Sequence, residues 1–167
     1  MSERHRILVM YLLLLSSIVL ISILTPLCQL IAAIGIYGTL FASYILRKMH
    51  HIDDIVTNHA IYISRTIWIW TLFLFLGVLG AVITILFNMD TTEIHSLMDQ
   101  INAGQGGMDE AALDSSMQKF SQANEKLVMT ALILWLLPIQ AYALWRVHKG
   151  ISRAMGGYRI QNPTKWF

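Results

Sequence analysis

The sequence predicts an all-α, polytopic integral membrane protein with four transmembrane helices and a periplasmic amphipathic helical hairpin between the third and the fourth. Composition is the first observation behind this prediction, because 56% of the 167 residues are hydrophobic and only 13% are charged. That is too apolar for a soluble domain of this length, and the chain is too short for more than one folding unit. The second observation is that the charges are segregated between long apolar runs. We therefore treat residues 1–167 as a single membrane domain.

The first transmembrane helix is predicted near residues 7–24. Arg4 and Arg6 precede this apolar run, an order that is also typical of a signal peptide. No small-residue cleavage site follows, and Leu27 stands where a lipoprotein signal needs a small residue before Cys28. The run also has about the 20 residues that cross a bilayer. We expect a retained membrane helix.

The second transmembrane helix is predicted near residues 26–47. Pro26 disfavours helical geometry in Thr25 and suits the first turn of a new helix, so the first helix ends here. Because the turn is so short, the two helices must be antiparallel neighbours. Gly35 and Gly38 are each followed four positions later by a small residue. This spacing lets membrane helices approach closely, although ordinary glycine content also produces it.

The polar connection over residues 47–59 contains His50, His51, Asp53 and Asp54. Imidazole and carboxylate groups are common metal ligands, and His50 and Asp54 are four residues apart, on one face of a helix. Their spacing fits no known zinc or di-iron pattern, and a solvated connection at the membrane surface explains them equally. We predict no metal site and no cofactor, with metal binding by this cluster left open as the alternative.

The third transmembrane helix is predicted near residues 60–88, which is longer than a bilayer requires, so it tilts or projects from the membrane. Trp68 lies where an aromatic belt is expected. Arg65 is close enough to the helix end to reach the interface, or to pair with an acid such as Asp54. His59 and Arg65 would then flank the interface and could bind anionic headgroups.

Residues 91–126 are predicted to form the helical hairpin, with a break at residues 104–107. Apolar residues in both arms recur at helical spacing. The wider segment 88–126 holds seven acidic residues and two lysines, whereas surface-seeking helices are usually basic. Packing of the arms on each other or on a partner therefore fits better than the bilayer surface. The side chains expected to avoid water are those of Leu97, Ile101, Leu113, Met117 and Phe120.

The fourth transmembrane helix is predicted near residues 127–148, followed by a basic cytosolic tail over residues 149–167. Pro138 lies inside this helix and predicts a kink. Gln140 places a polar group at membrane depth, where it needs a partner.

Orientation follows from the basic residues. The N-terminal segment, the connection after the second helix and the C-terminal tail hold ten of the twelve Lys and Arg residues, counting Arg65 at its helix end. Four helices with both termini in the cytosol place all ten on one side, as the positive-inside rule requires. The sequence thus predicts a multi-pass protein of the bacterial inner membrane.

Two short segments resemble a known family. Asn58-His59 followed by Ile63-Ser64-Arg65-Thr66-Ile67-Trp68 resembles the His…Ile-Arg-Thr-Phe-Trp signature of small bacterial membrane proteins in the Tic-twenty-like superfamily, most of them filed as a domain of unknown function. The histidine of that family precedes the arginine by six residues, as His59 precedes Arg65. Trp145-Arg146-x-x-Lys149-Gly150 is similar to the basic segment that ends the family's final helix.

The resemblance covers the second to fourth helices and implies little chemistry. Plastid relatives are associated with a protein-import translocon, and some bacterial relatives with magnetosome formation. The long acidic hairpin departs from the family, whose corresponding loop is generally short, and this difference points to an added periplasmic contact. The resemblance and the interface argument select these candidate residues: His59, Arg65, Thr66, Trp68, Trp145, Arg146 and Lys149.

The sequence contains no pattern that indicates an enzyme, since it has no Ser-His-Asp order, no Gly-rich phosphate loop and no HExxH motif. The centres of the helices offer only Gln29, Thr84 and Gln140, which argues against a pump or secondary transporter that works alone. A haem ligated by His50 or His148 is conceivable, but lone histidines at helix ends are more often interfacial.

We therefore expect a non-catalytic accessory or scaffold subunit of an inner-membrane protein complex. Its expected partners are other membrane protein subunits and the lipid bilayer, with no nucleic acid. The alternative is a small homo-oligomeric channel or translocation component.

Overall fold

The computed structural model describes residues 3–23, 25–49, 54–102 and 110–166, which form helices and their connections. Within these ranges there is no strand, and the all-α prediction is confirmed. The helices, in chain order, are α1 (Glu3–Ile21), α2 (Pro26–Met49), α3 (Ile55–Asn88), α4 (Thr92–Asn102) and α5 (Glu110–Met155).

Four of these segments are long and apolar enough to cross a membrane, namely α1, α2, α3 and the part of α5 over Leu113–Met155. The chain is therefore a multi-pass membrane protein. The prediction of α2 starting at Pro26 is confirmed, and the Thr25 carbonyl accepts the first helical hydrogen bond from Gln29 N. The predicted start of α3 at residue 60 is five residues late, because hydropathy marks only the apolar part of a helix that begins at Ile55.

The region of the predicted hairpin contains α4 and the first turns of α5. The second arm is not a separate helix, because α5 continues without interruption from Glu110 through the predicted boundary at residues 126–127 to Met155. No helix breaker separates Phe120 from Leu127, so the amphipathic run passes directly into the apolar one. The glycines at residues 104–107 lie outside the described residues. Pro138 lies within α5, and the kink expected there stays a prediction.

The chain divides into two compact units. Unit 1 comprises Met1–Phe75 and Pro138–Phe167, and unit 2 comprises Leu76–Leu137. Both α3 and α5 contribute residues to each unit, with α3 divided after Phe75 and α5 divided after Leu137.

The core of unit 1 is built around one face of α1. Its buried side chains follow the three-to-four-residue period of a helix face. Gly35 of α2 lies so close to α1 that a Cβ atom at this position would overlap Ser17 Oγ. The predicted close approach of α2 through its small residues is therefore confirmed at Gly35, but not at Gly38, where no atom lies within 4 Å. The buried residues of α1 are Ile7, Met10, Tyr11, Leu14, Ser17 and Ile18.

A second close approach in unit 1 joins α1 to α5. A Cβ atom at Gly150 would overlap the ring of Tyr11, which is itself buried. Because the phenol oxygen of Tyr11 is hydrogen-bonded to His59, the ring cannot move aside without losing that bond. Glycine at position 150 is thus required by packing rather than by backbone conformation.

Unit 2 is held by Asn124 of α5, whose buried side chain fixes the segment before α4. Asn124 Oδ1 accepts a hydrogen bond from Asp90 N (2.8 Å), and its Nδ2 donates to Asp90 O (3.0 Å). The Asp90 carboxylate in turn accepts bonds from the hydroxyl and backbone N–H of Thr92, which hold its pKa below the ordinary value. The stabilisation from this turn is present above the ordinary aspartate pKa and is lost as the pH falls through the lowered one.

A second contact within unit 2 joins Trp135 of α5 to α3. Trp135 Nε1 donates to Thr84 Oγ1 (2.9 Å), and a Cβ atom at Gly80 would lie 2.7 Å from the indole ring. Thr84, which the sequence offers only as a polar group in the middle of an apolar helix, therefore fixes the position of an aromatic side chain.

We predict that Gly150→Ala destabilises the protein, while Gly38→Ala does not. The added methyl group at position 150 overlaps the Tyr11 ring, and overpacking of this kind costs about 1–3 kcal/mol. At position 38 the methyl group meets open space, and alanine favours a helix over glycine by about 0.5–1 kcal/mol. Thermal unfolding in detergent, followed by circular dichroism, should give a lower midpoint for the first variant only. Equal midpoints would contradict the packing of Tyr11 on Gly150.

Candidate functional site: a polar cluster that binds the C-terminal segment

The site begins where α5 ends and the chain reverses. Tyr158 N donates to Arg153 O (2.9 Å) and Gly157 N donates to Ala154 O (3.1 Å). These two bonds form a Schellman motif, and Gly157 has the positive φ of 70° that the motif requires. Glycine adopts this conformation without the steric cost that a Cβ atom brings. The turn directs the following residues, which we call the tail segment (residues 156–166), back across the helix ends.

Two adjacent residues near the start of α3 bind the tail segment. The side chain of Asn58 pairs with both backbone groups of Ile160, with its Oδ1 accepting from Ile160 N (2.7 Å) and its Nδ2 donating to Ile160 O (3.1 Å). His59 Nε2 lies 3.1 Å from Tyr158 O. Since a carbonyl oxygen only accepts, His59 Nε2 carries the proton.

His59 is fully buried, at 0% exposure, and its second nitrogen is also engaged. Nδ1 lies 2.9 Å from the hydroxyl of Tyr11 on α1. In the neutral tautomer with the proton on Nε2, Nδ1 accepts from that hydroxyl, so one ring connects α1, α3 and the tail segment. His59 is therefore enclosed and does not offer a nitrogen to a headgroup, contrary to that expectation, whereas its position near the interface stays a prediction.

Arg146 of α5 binds the other end of the tail segment. Its guanidinium is buried, with 1% of the residue exposed. Nη1 donates to Lys165 O (3.0 Å), to Trp166 O (2.6 Å) and to the hydroxyl of Tyr142 (3.2 Å). The Tyr142 hydroxyl also makes a short hydrogen bond to Trp166 O.

The remaining contacts of Arg146 come from α3. Nε donates to Thr66 Oγ1 (3.1 Å), whose own proton goes to Tyr62 O (2.8 Å). The Arg146 guanidinium lies over the Tyr62 ring, 4.5 Å from its centroid, in a cation–π arrangement, and the Tyr62 hydroxyl donates to Arg146 O (3.1 Å). Thr66 and Tyr62, one turn apart on α3, thus hold the arginine in place.

The other candidate residues lie on the surface of unit 1. Arg65 lies over the ring of Trp166, 5.8 Å from its centroid. Its pairing with Asp54 is wrong, because α3 separates the two residues by about 16 Å at 1.5 Å per residue. Trp68 is exposed and donates from Nε1 to the hydroxyl of Tyr44 (3.2 Å).

Trp145 and Lys149 form a surface pair one turn apart on α5. Lys149 Nζ lies 5.1 Å from the centroid of the Trp145 ring, and the ring is about half exposed. The pair belongs to the same helix turn as Arg146, but its side chains do not enter the buried cluster.

The structure therefore buries three of the seven sequence-predicted residues, His59, Thr66 and Arg146, beside the tail segment, and a fourth, Arg65, contacts the tail only at the surface, over the Trp166 ring. We call the three buried residues, with Asn58 and Tyr142, the tail-binding cluster. Sequence reasoning missed the role of Tyr142, although it lies one turn before Arg146, where side chains of a helix meet. It also missed Gly157, for which a glycine just after a periodic helix was an available signal.

A metal site is not formed by the residues that the structure describes. No group of three or more His, Cys, Asp or Glu side chains comes together among them. His50, His51 and Asp53 of the predicted cluster lie outside the described residues. Asp54 lies at the start of α3, where its Oδ1 accepts a hydrogen bond from Val56 N (3.4 Å) and caps the helix.

Comparison of the chain with protein-family models, with curated proteins and with solved structures finds no match. The resemblance to the Tic-twenty-like superfamily therefore stays a prediction. The fold and the site define the class, a multi-pass helical membrane protein whose buried polar cluster binds its own tail segment.

The geometry of the cluster is suited to holding the backbone of the tail segment. Both nitrogens of His59 and both polar atoms of the Asn58 side chain are engaged by groups of the chain itself. Five hydrogen bonds then join the cluster residues Asn58, His59 and Arg146 to tail backbone, each worth about 0.5–1.5 kcal/mol net.

We predict that Asn58→Ala releases the tail segment. The peptide bond between Arg159 and Ile160 is a trypsin site, and Asn58 holds both backbone groups of Ile160. Losing two hydrogen bonds costs about 1–3 kcal/mol, so the open fraction of the tail segment should rise by about fivefold to 150-fold. Limited trypsin digestion in detergent, read by mass spectrometry, should show faster cleavage after Arg159.

The matched control is Asn88→Ala, which removes an exposed asparagine bonded only within its own helix. This control should cleave after Arg159 at the wild-type rate. Wild-type cleavage in the Asn58 variant would contradict the anchoring of the tail segment.

Proposed function

We propose that the chain is a non-catalytic accessory subunit of a membrane protein complex, which binds its partner through α4 and the first turns of α5. The observation that carries this proposal is apolar exposure in unit 2, outside the most apolar part of the chain. Met98, Ile101 and Met117 are each 54% exposed, and Leu113 is 39% exposed. An apolar surface of this kind marks an interaction site more often than a solvated face.

Charge favours a protein partner over the bilayer surface. The segment 88–126 has a formal charge of −5, from seven acidic residues and two lysines. Burying a large apolar side chain contributes about 1.5–3 kcal/mol, and either a membrane or a protein can provide that. A surface of anionic lipids repels the acidic residues, whereas a partner chain with basic residues attracts them. We therefore assign this region to contact with another membrane protein subunit.

The tail-binding cluster supports a role without catalysis. Three of the polar candidates from the sequence, His59, Thr66 and Arg146, are engaged in fixing helices α1, α3 and α5 to the tail segment. Binding of a partner then falls to the exposed surfaces of the chain, which is the arrangement expected of a scaffold or accessory subunit.

We further propose that the four membrane-spanning helices leave both termini in the cytosol of a bacterium, with α4 in the periplasm. The support is the distribution of basic residues, ten of twelve of which fall on one side in this arrangement. Reporter fusions at residue 105 and after residue 167 should then report opposite sides of the inner membrane. The same side for both fusions would contradict the topology.

The partner contact is tested by replacing two exposed apolar side chains. The test variant carries Ile101→Ser and Met117→Ser. Each of these side chains is about half exposed and would bury that half against the partner, so the two substitutions together remove about 2 kcal/mol of binding free energy. This loss corresponds to about a thirtyfold lower affinity. Purification from native membranes in mild detergent should recover much less of a partner that is stoichiometric with the wild-type chain. Deletion of residues 91–124, closed by a short flexible linker, should abolish the partner while leaving the four helices inserted.

The matched control is Asn102→Ser with Gln118→Ser, which changes the exposed polar neighbours of the same two positions. This control should retain the partner at wild-type stoichiometry. Retention of the partner after the deletion, or a defined homo-oligomer as the sole species, would contradict the proposal and favour the homo-oligomeric channel.

A further inference from the structure

A basic cavity lies beside Arg146 in unit 1, with a volume of about 180 Å³. Four basic residues line it, Arg146, Lys149, Arg153 and Lys165, together with the amides of Gln161 and Asn162. The residues described along its walls include no acid. A single water needs only about 10–15 Å³, so the cavity has room for a polyatomic group.

The charge of Arg146 is not compensated by the contacts that the structure gives it. Its hydrogen-bond acceptors are two carbonyl oxygens and the hydroxyls of Thr66 and Tyr142, all of them neutral. The buried Nη2 has no hydrogen-bond partner among the described residues. A buried charge is normally paired, because leaving it alone in a low-dielectric interior costs free energy. The charge of Arg146, which has no anionic partner among the described residues, and the basic lining of the neighbouring cavity together favour an anion in the cavity, attracted by charge rather than by contact with the enclosed Nη2.

We propose that the basic cavity binds a phosphate group, as carried by an anionic phospholipid headgroup or by free phosphate. Arg153 is exposed and lines the cavity, and its guanidinium suits a tetrahedral oxyanion because the N–H groups form a planar fork that matches two phosphate oxygens. Lys149 and Lys165 supply further positive charge, and Asn162 and Gln161 supply neutral donors.

The tail segment forms part of the binding site. Lys165, Asn162 and Gln161 belong to it, whereas Arg146, Lys149 and Arg153 belong to α5. The hydrogen bonds from Arg146 to Lys165 O and Trp166 O bring the two walls together. A phosphate group between them would strengthen the closure that the tail-binding cluster already provides.

Nearby side chains place the cavity at the surface of the membrane-spanning helices. Trp145, which also lines the cavity, is about half exposed and carries Lys149 over its ring. Tryptophan is enriched at the level of lipid headgroups, where basic residues attract anionic lipids. This setting makes a headgroup phosphate available to the cavity whether or not the chain binds a protein partner.

The experiment measures lipid and phosphate binding by the purified full-length chain. Native mass spectrometry in detergent counts bound phosphatidylglycerol and phosphatidylcholine, each titrated alone and in competition with inorganic phosphate. The variant is Lys149→Gln with Arg153→Gln, two residues outside the tail-binding cluster. The charge-matched control is Arg4→Gln with Lys48→Gln, two exposed basic residues that do not line the cavity.

We expect phosphatidylglycerol to bind more tightly than phosphatidylcholine, since choline adds a cation that the four basic residues repel. The affinity for phosphatidylglycerol should fall at least about tenfold in the cavity variant and stay within about twofold in the control. Binding that inorganic phosphate does not displace assigns the site to the lipid headgroup. Phosphate that binds alone, displaces the lipid and is lost in the cavity variant assigns the site to the free anion.

Two results would overturn the proposal. One is an equal loss of phosphatidylglycerol in the cavity variant and in the control, which would show attraction to net charge alone. The other is unchanged binding of both probes in the cavity variant. Arg146→Gln is the supporting variant, and because it also releases Lys165 O and Trp166 O, it is interpreted only beside the Lys149 and Arg153 result.

Discussion

The buried guanidinium of Arg146 is the constraint on which the structure of unit 1 depends. A charge this deeply buried needs acceptors from every side, and neighbouring side chains alone supply only the hydroxyls of Thr66 and Tyr142. The carbonyl oxygens of Lys165 and Trp166 supply two more acceptors, and they reach the arginine because the chain returns to the helix after α5 has ended. The tail segment and the buried arginine therefore contribute to each other's stability through these contacts.

The path of the tail segment is set by several local interactions that favour the same conformation. Gly157 provides the positive φ that closes the Schellman turn, and that turn places Tyr158 O within reach of His59. Asn58, one residue earlier on α3, then pairs with both backbone groups of Ile160. Because these bonds fall on consecutive residues of α3, a shift of the tail by one residue would break several of them together. The register of the tail segment is thus fixed by the spacing within a single helix turn.

The sequence predicted the helices well, because four apolar runs of membrane length leave few alternatives. It predicted the burial of polar residues poorly. Arg65 and Arg146 look alike in the sequence, each near an end of an apolar run, yet Arg65 lies on the surface over Trp166 while Arg146 is inside. What distinguishes them is contact across eighty positions of the sequence, between Arg146 of α5 and Thr66 of α3, which periodicity along one helix cannot show. The continuity of α5 past Leu127 was missed for the opposite reason, since hydropathy marks where a helix becomes apolar and not where it begins.

The two units differ in the polar groups that they bury. Unit 2 uses neutral amide and hydroxyl groups, with Asn124 on the backbone of Asp90 and Thr84 on Trp135, and these contacts are complete within the unit. Unit 1 buries a permanent charge, and one nitrogen of that guanidinium has no acceptor within the part of the chain that the structure describes. Neutral hydrogen bonds need nothing from outside, whereas a guanidinium with only neutral acceptors still attracts an anion over several ångströms. The uncompensated charge in unit 1 thus supports the proposal of an anionic ligand there, and the exposed apolar side chains in unit 2 support the proposal of a protein partner.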